Sequence, residues 1–344
     1  MELEQETEVA VAPEGILRIG SGFWASKALM SAVELGVFTE LAQSGALELH
    51  ELSRRLGLHR RGARDFMDAL VALGLLRRGV GGYHNTPESA RFLDRRRRTY
   101  IGSVVLMAGE RLYPSWGRLT QALQSGLPQS EAAGSGDYFN GLYSDPGKLR
   151  LFLQAMTAFS LRAGAALAAK FPWIRYHRLV DLGTAQGAVP VELALVHPHL
   201  TGYGFDLPVV RPMFEEYVRS HGLEDRLQFV AGNFFTDPLP PADVYILGHL
   251  LHDWDGEGRR VLLAKAHAAL PAGGAVIVYD TLIDDGRCQN AFALLMSLNM
   301  LLQTPGGSEY TARECAGWLQ QAGFRLLRTE PLAGGDTMIV AIKQ

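Results

Sequence analysis

After Lys170 the sequence settles into short apolar runs separated by helical stretches, and this alternation limits the chain to very few folds. The runs are residues 178–183, 202–207, 227–232, 243–249 and 275–281. Each is too short for a free-standing helix and largely apolar, as expected of strands covered on both faces. Strand-helix-strand order of this kind predicts a doubly wound, mostly parallel α/β sheet. Such sheets collect ligands outside the carboxyl ends of their strands. Residues just beyond each run are therefore the candidates for function. Near the end of the chain, runs 325–331 and 337–343 are joined by Ala333-Gly334-Gly335-Asp336, and should form an antiparallel pair at one edge of the sheet.

The region before Lys170 is mainly helical. Residues 16–94 alternate helical periods with turns and end in a glycine-rich hairpin signal, Arg77-Arg78-Gly79-Val80-Gly81-Gly82-Tyr83-His84, which is the order of a winged helix. Within it, 49–57 reads as a short helix ended by Gly57, and 61–76 as a second helix with Phe66, Leu70, Leu73 and Leu76 on one face. A helix carrying Arg60, Arg61 and Arg64 at this spacing can enter a DNA groove. The formal charge of only −3 argues for a packing or dimerisation module instead, with the basic run Arg95 to Arg98 as a solvated loop. From 99 to 172 the helical pattern continues, with a Gly/Ser/Ala-rich loop at 126–136 and a helix start at Asp145-Pro146. Leu149, Phe152, Met156, Phe159, Ala163 and Leu167 then follow at helical spacing, suiting core packing or, for Met156 and Phe159, the wall of a substrate cavity. A length of 344 residues predicts two domains, and the pattern along the chain divides it into 1–98, a connector 99–172 and 173–344.

Several function classes are disfavoured. Cys288 and Cys315 have no metal-ligand or disulfide spacing, which suits a reduced cytoplasmic protein. Residues 1–14 lack the basic start and apolar core of a secretory signal. No apolar run is read as reaching the roughly 18–20 residues of a membrane helix. Neither nucleic acid nor membrane is expected as a partner.

The strand ending at Asp181-Leu182-Gly183 runs through Thr184-Ala185-Gln186-Gly187 into a helix, a turn that lets a ligand approach the backbone. Asp206 ends the next strand 23 residues after Gly183, a separation that suits an acid binding ribose hydroxyls. Together they suggest an adenosine-containing ligand, without the full GxGxxG of a dinucleotide site. Beyond the run 243–249 lies Gly248-His249-Leu250-Leu251-His252-Asp253-Trp254-Asp255, with His252 placed as a base. His249 and His252, with Asp253 and Asp255 nearby, lack a further convergent ligand, and no metal is expected.

At these positions the chain resembles class I S-adenosylmethionine-dependent methyltransferases, and more closely small-molecule O-methyltransferases with an N-terminal winged-helix dimerisation domain. The resemblance covers residues 16–343. Val180 to Gly187 is similar to a D-x-G-G-G-x-G motif, with Thr184 and Ala185 replacing two glycines. Gly204-Phe205-Asp206-Leu207-Pro208 matches the ribose motif. Ala231 to Phe235 resembles G-D-F-F, with Asn233 in place of Asp. Leu251 to Glu257 resembles L-H-D-W-D-D-E, departing at Gly256, and Pro305 to Thr311 resembles P-G-G-x-E-R-T.

The resemblance implies S-adenosylmethionine as cofactor, leaving as S-adenosylhomocysteine, held by Asp181, Gly183, Gly187, Asp206, Leu207, Asn233, Phe234, Gly248 and Trp254. It implies that His252 removes the proton of a substrate hydroxyl, oriented by Asp280 and Glu309. Asp280 stands where Glu is commoner. Met156, Phe159, Met300 and Thr304 are the candidates for the acceptor wall, with Met296 and Asn299 beside them. The implied protein is a homodimer acting on a small aromatic secondary metabolite. N- or C-methylation on the same scaffold, or a winged-helix regulator sensing a ligand, are the rival readings.

Overall fold

The computed structural model describes residues 12–130 and 138–344. Most of the start at 1–14 and of the loop expected at 126–136 lies outside the described residues. The chain divides into two compact units, Met1–Gly109 and Glu110–Gln344.

The first unit packs the helices Glu14–Glu34, Val37–Ser44, Leu49–Arg55 and Arg60–Ala72 with a hairpin of β1 (Leu76–Gly79) and β2 (Gly82–Asn85). Phe38, Leu41, Leu52, Met67, Leu70, Leu76 and Tyr83 are buried at its centre. The helix expected at 61–76 stops at Ala72, because Gly74 enters the left-handed region at φ 75° and Leu75 N–H donates to Leu70 O at 2.9 Å. Leu73 is consequently exposed and Leu76 opens β1. The basic run is an exposed loop, as expected, and it is anchored to its surroundings. Arg95 donates to Val33 O at 2.9 Å, and Arg96 and Arg97 pair with Asp94, which is 1% exposed. Arg54 and Arg55 likewise pair with Glu51, and Arg78 with Asp68.

The second unit is a seven-stranded sheet in the order β5-β4-β3-β6-β7-β9-β8. Its strands are β3 (Arg178–Leu182), β4 (Thr201–Asp206), β5 (Leu227–Ala231), β6 (Val244–Gly248), β7 (Ala275–Asp280), β8 (Phe324–Pro331) and β9 (Thr337–Lys343). Strands β3 to β7 run parallel, β9 lies antiparallel to β7, and β8 forms the antiparallel edge. Side chains alternate between two apolar layers: Val244 and Ile246 join Leu167 and Leu193 on one face, while Tyr245 and Leu247 join Leu262 and Leu263 on the other. The chain moves outward from β3 through β4 to β5, then returns to place β6 on the other side of β3. In sheets of this kind such a switch point is where ligands bind, here beyond the carboxyl ends of β3 and β6.

One helix corrects the hydropathy reading. Pro146–Lys170 spans 25 residues and is apolar and long enough to cross a membrane. Its Leu149, Leu153, Ala163 and Leu167 are buried in the clusters that include Val189, Val191 and Leu193 of the helix Ala188–Val196, as in a core helix. Asp145 starts it as expected, its carboxylate accepting from Gly147 N–H at 2.8 Å and Lys148 N–H at 3.0 Å.

Candidate active site

The turn after β3 is built on left-handed backbone. Gly183, Ala185 and Gly187 have φ of 70°, 51° and 85°. At Gly187 the requirement is also spatial, since a Cβ there would lie 2.6 Å from the Phe214 ring. Ala185, standing where the resembling motif has glycine, adopts the left-handed conformation despite its side chain, and its N–H donates to Asp206 Oδ2 at 2.9 Å. Leu207 N–H donates to Asp206 Oδ1 at 2.8 Å, so two amides fix the carboxylate that closes β4. Asp181 accepts from the Thr184 hydroxyl at 2.8 Å. Burial pushes the Asp181 carboxyl up to about 7, partly offset by the Thr184 hydrogen bond, and Asp206 up to about 6 against its two amide donors.

Beyond β5, Asn233 is exposed, and its side-chain oxygen accepts from Phe235 N–H at 2.9 Å. The oxygen expected to face an adenine amine thus already closes a turn, with a second lone pair to spare. Phe234 and Phe235 meet the Trp254 ring edge-on at 5.7 and 4.6 Å. The Trp254 Nε1 is buried without a partner. Gly248 closes β6 in register with Tyr279. Buried acids, a turn half-buried at Gly183 and Ala185, an aromatic wall and an unpaired indole donor suit a ligand that carries a base, a sugar and a charged chain.

The histidine segment follows β6. His249 sits at φ 47°, an unusual conformation for a non-glycine residue. Its Nε2 contacts Asp336 Oδ1 at 3.1 Å, and Asp336 also accepts from Thr281 Oγ1 at 2.9 Å. The rings of His249 and His252 stack 6.0 Å apart, each bound to its own carboxylate.

His252 Nδ1 lies 2.8 Å from Glu309 Oε1 and 3.5 Å from Asp280 Oδ1, while Nε2 lies 3.7 Å from Asp253 Oδ1. Asp280 at the end of β7 is 0% exposed, and its Oδ2 accepts a hydrogen bond from the Tyr310 hydroxyl. Burial alone would disfavour the imidazolium, but Glu309, Asp280 and Asp253 outweigh it and hold His252 well above the ordinary histidine value. Burial holds Asp280 above the carboxylate range, against the pull of His252. The ligand atoms of His252, Asp280 and Glu309 lie within 4.8 Å of one another, so the cluster is compact enough for a cation as well as a proton.

The acceptor-wall candidates differ in placement. Phe159 is 39% exposed and meets the His249 ring edge-on at 6.5 Å, and Met156 is half-buried one turn earlier. Met300 is buried in the helix Ala291–Gln303. Thr304 is buried too, its hydroxyl donating to Met300 O at 3.0 Å and accepting from Gly307 N–H at 2.9 Å. Sequence reading passed over Gln303, which is buried with Nε2 unpaired, and did not choose Asn299, which accepts from Trp116 Nε1 at 3.2 Å. It also passed over Tyr310 and Arg259, both buried. A charged residue on the buried face shared with Leu262, Leu263 and Ala266 was the available signal for Arg259.

The sheet topology is that of an S-adenosylmethionine-dependent methyltransferase. The chain belongs to the O-methyltransferase family: the O-methyltransferase domain matches residues 116–325 and the O-methyltransferase dimerisation domain residues 17–95. It is 47% identical over 332 residues to a tetracenomycin polyketide synthesis 8-O-methyl transferase of Streptomyces glaucescens, covering 96% of this chain and 97% of that protein. An N,N-dimethyltransferase of Streptomyces rimosus is 39% identical, covering 95% of this chain and 96% of that protein. Human N-acetylserotonin methyltransferase, solved in complex with S-adenosylmethionine, superposes with a TM-score of 0.91 at 29% identity over 100% of this chain and 99% of its own.

Proposed function

We propose that the chain methylates a hydroxyl of a small aromatic polyketide-type metabolite, with His252 as the general base. The observation that carries this reading is the Glu309–His252 contact of 2.8 Å at Nδ1, which leaves Nε2 for an acceptor. A carboxylate on Nδ1 fixes the tautomer in which Nε2 bears the lone pair, and stabilises the imidazolium once a proton arrives. S-adenosylmethionine, when bound, supplies a methyl group already activated on a sulfonium sulfur. Asp181, Gly183, Gly187, Asp206, Leu207, Asn233, Phe234, Gly248 and Trp254 would hold it. His252 takes the hydroxyl proton as the acceptor oxygen becomes nucleophilic, and Asp280, tied to Tyr310, adds negative charge behind the ring. Met156, Phe159 and Met300 would frame the acceptor, while Thr304 would shape the loop at the end of its helix.

The polyketide relative, and a 3-hydroxy-5-methyl-1-naphthoate 3-O-methyltransferase of Streptomyces sahachiroi at 34% identity, support a phenolic acceptor. The N,N-dimethyltransferase relative favours an amine acceptor as the second reading. Mass and NMR analysis of products from a panel of phenols and amines tests this. Methyl ethers are expected, and methylation confined to amines would replace the first reading with the second.

We read the cluster as proton-handling, because Nδ1, the His252 atom nearest both acids, is already engaged by Glu309 Oε1, although Asp280 Oδ1 and Glu309 Oε2 are buried without a partner. Activity is then expected to survive a chelator unchanged, and loss restored by one divalent ion would make the cluster a metal site. A homodimer is supported by the dimerisation domain and by exposed Ile16, Leu17, Ile19, Phe23 and Trp24 on the helix Glu14–Glu34. We place the protein in the cytoplasm, with neither nucleic acid nor membrane as partner.

A further inference from the structure

We propose that Arg259 is a positioning residue: it locks together the two loops that carry His252 and Glu309, and its charge balances the acids around His252. This rests on the reading of His252 as base. Arg259 is 5% exposed in the helix Gly256–Ala269. Its Nε donates to Leu251 O at 2.9 Å, and its Nη2 donates to Ser308 O and to Ser308 Oγ, the latter at 3.0 Å. Leu251 immediately precedes His252, and Ser308 immediately precedes Glu309. One planar guanidinium therefore bridges the carbonyls next to both partners of the 2.8 Å contact.

The guanidinium also lies against two rings that meet edge to face, with Cζ 5.1 Å from the Tyr310 centroid and 4.9 Å from that of Trp318. Tyr310 follows Glu309 in the chain and donates to Asp280, so the stack reaches the third member of the cluster. Ser308 N–H also donates to His252 O at 2.8 Å, a direct backbone tie that the arginine reinforces from the buried side.

The charge of Arg259 acts in the same place. The groups that face His252 are Asp253 beside it, His249 beyond β6, Asp280 on β7 and Glu309 in the following loop. Arg259 in turn faces Asp280, Glu309, Glu314 and Tyr310, and its field also reaches Asp253. Removing this cation leaves the acids less balanced, so His252 would retain its proton to higher pH. Removing only the fork would loosen the loops with the charge kept.

The test compares Arg259→Gln, Arg259→Lys and His252→Gln by pH–rate profile, with S-adenosylhomocysteine affinity as the check on the fold. Arg259→Gln is expected to lower kcat on the order of 10- to 100-fold with KM changed only a few-fold, and to move the acid limb to higher pH. Arg259→Lys is expected to lower kcat less and leave the limb in place. If the Gln variant does not fold, the Lys variant decides: a lowered kcat with an unmoved limb supports the role. Wild-type kcat in either variant overturns it, as does a fall in kcat for the Gln variant with no movement of the limb. His252→Gln separates the two readings. Full activity there removes the base itself, whereas an inactive His252→Gln beside a wild-type-like Arg259→Gln removes only the inference about Arg259.

Discussion

Two carboxylates converge on Nδ1 of His252, and the sign of their effect on catalysis follows from their charge. Both favour the imidazolium, whereas a base must be neutral to accept a proton. The acid limb of kcat/KM is therefore expected above the ordinary histidine value of about 6.5. Glu309→Gln removes one of those charges, so the limb should move to lower pH while kcat falls by roughly 10- to 100-fold through lost orientation. A pH–rate profile of that variant checks both effects, and a limb moving upward would contradict the electrostatic account. Tyr310→Phe leaves Asp280, which is 0% exposed, without its hydroxyl donor. A stability loss of about 1–3 kcal/mol is expected in chemical denaturation, together with a lower kcat.

Among the elements, the turn between β3 and the helix Ala188–Val196 tolerates little change. Gly187→Ala meets both a left-handed backbone and the Phe214 ring, so a cost of about 1–3 kcal/mol and weaker binding of S-adenosylhomocysteine are expected by calorimetry. The strands of the sheet were legible because strands covered on both faces read as continuous apolar runs between turns. Other elements were read less well. The stripe Phe66, Leu70, Leu73, Leu76 suggested one long helix, but the left-handed Gly74 ends it and hands Leu76 to a strand. The basic run at Arg95 is exposed as read, but its partners, Asp94 and the Val33 carbonyl, were not legible because they are set by packing that local sequence does not encode. At the site, His252, Asp280 and Glu309 were visible as motif residues. The bridge from Arg259 to two carbonyls was not, since the second of them, that of Ser308, lies 49 residues away in sequence and is reached only once the two loops dock.

Across the whole molecule, the candidate site follows from one topological event, the return of the chain from β5 to place β6 beside β3. That reversal brings the turn at Gly183–Gly187, the acid Asp206 and the histidine segment to the same end of the sheet. Asp280 and Glu309 then arrive from β7 and the loop that follows the helix Ala291–Gln303. Homodimerisation, read from the dimerisation domain and the exposed apolar residues of Glu14–Glu34, is checked by light scattering, which should report twice the chain mass. The most direct test of the central claim is the single-turnover methylation rate of His252→Ala, with S-adenosylhomocysteine affinity measured alongside. The account predicts affinity within a few-fold of wild type and a methylation rate lower by a factor on the order of 100 or more. Methylation of a hydroxyl at the wild-type rate would contradict it.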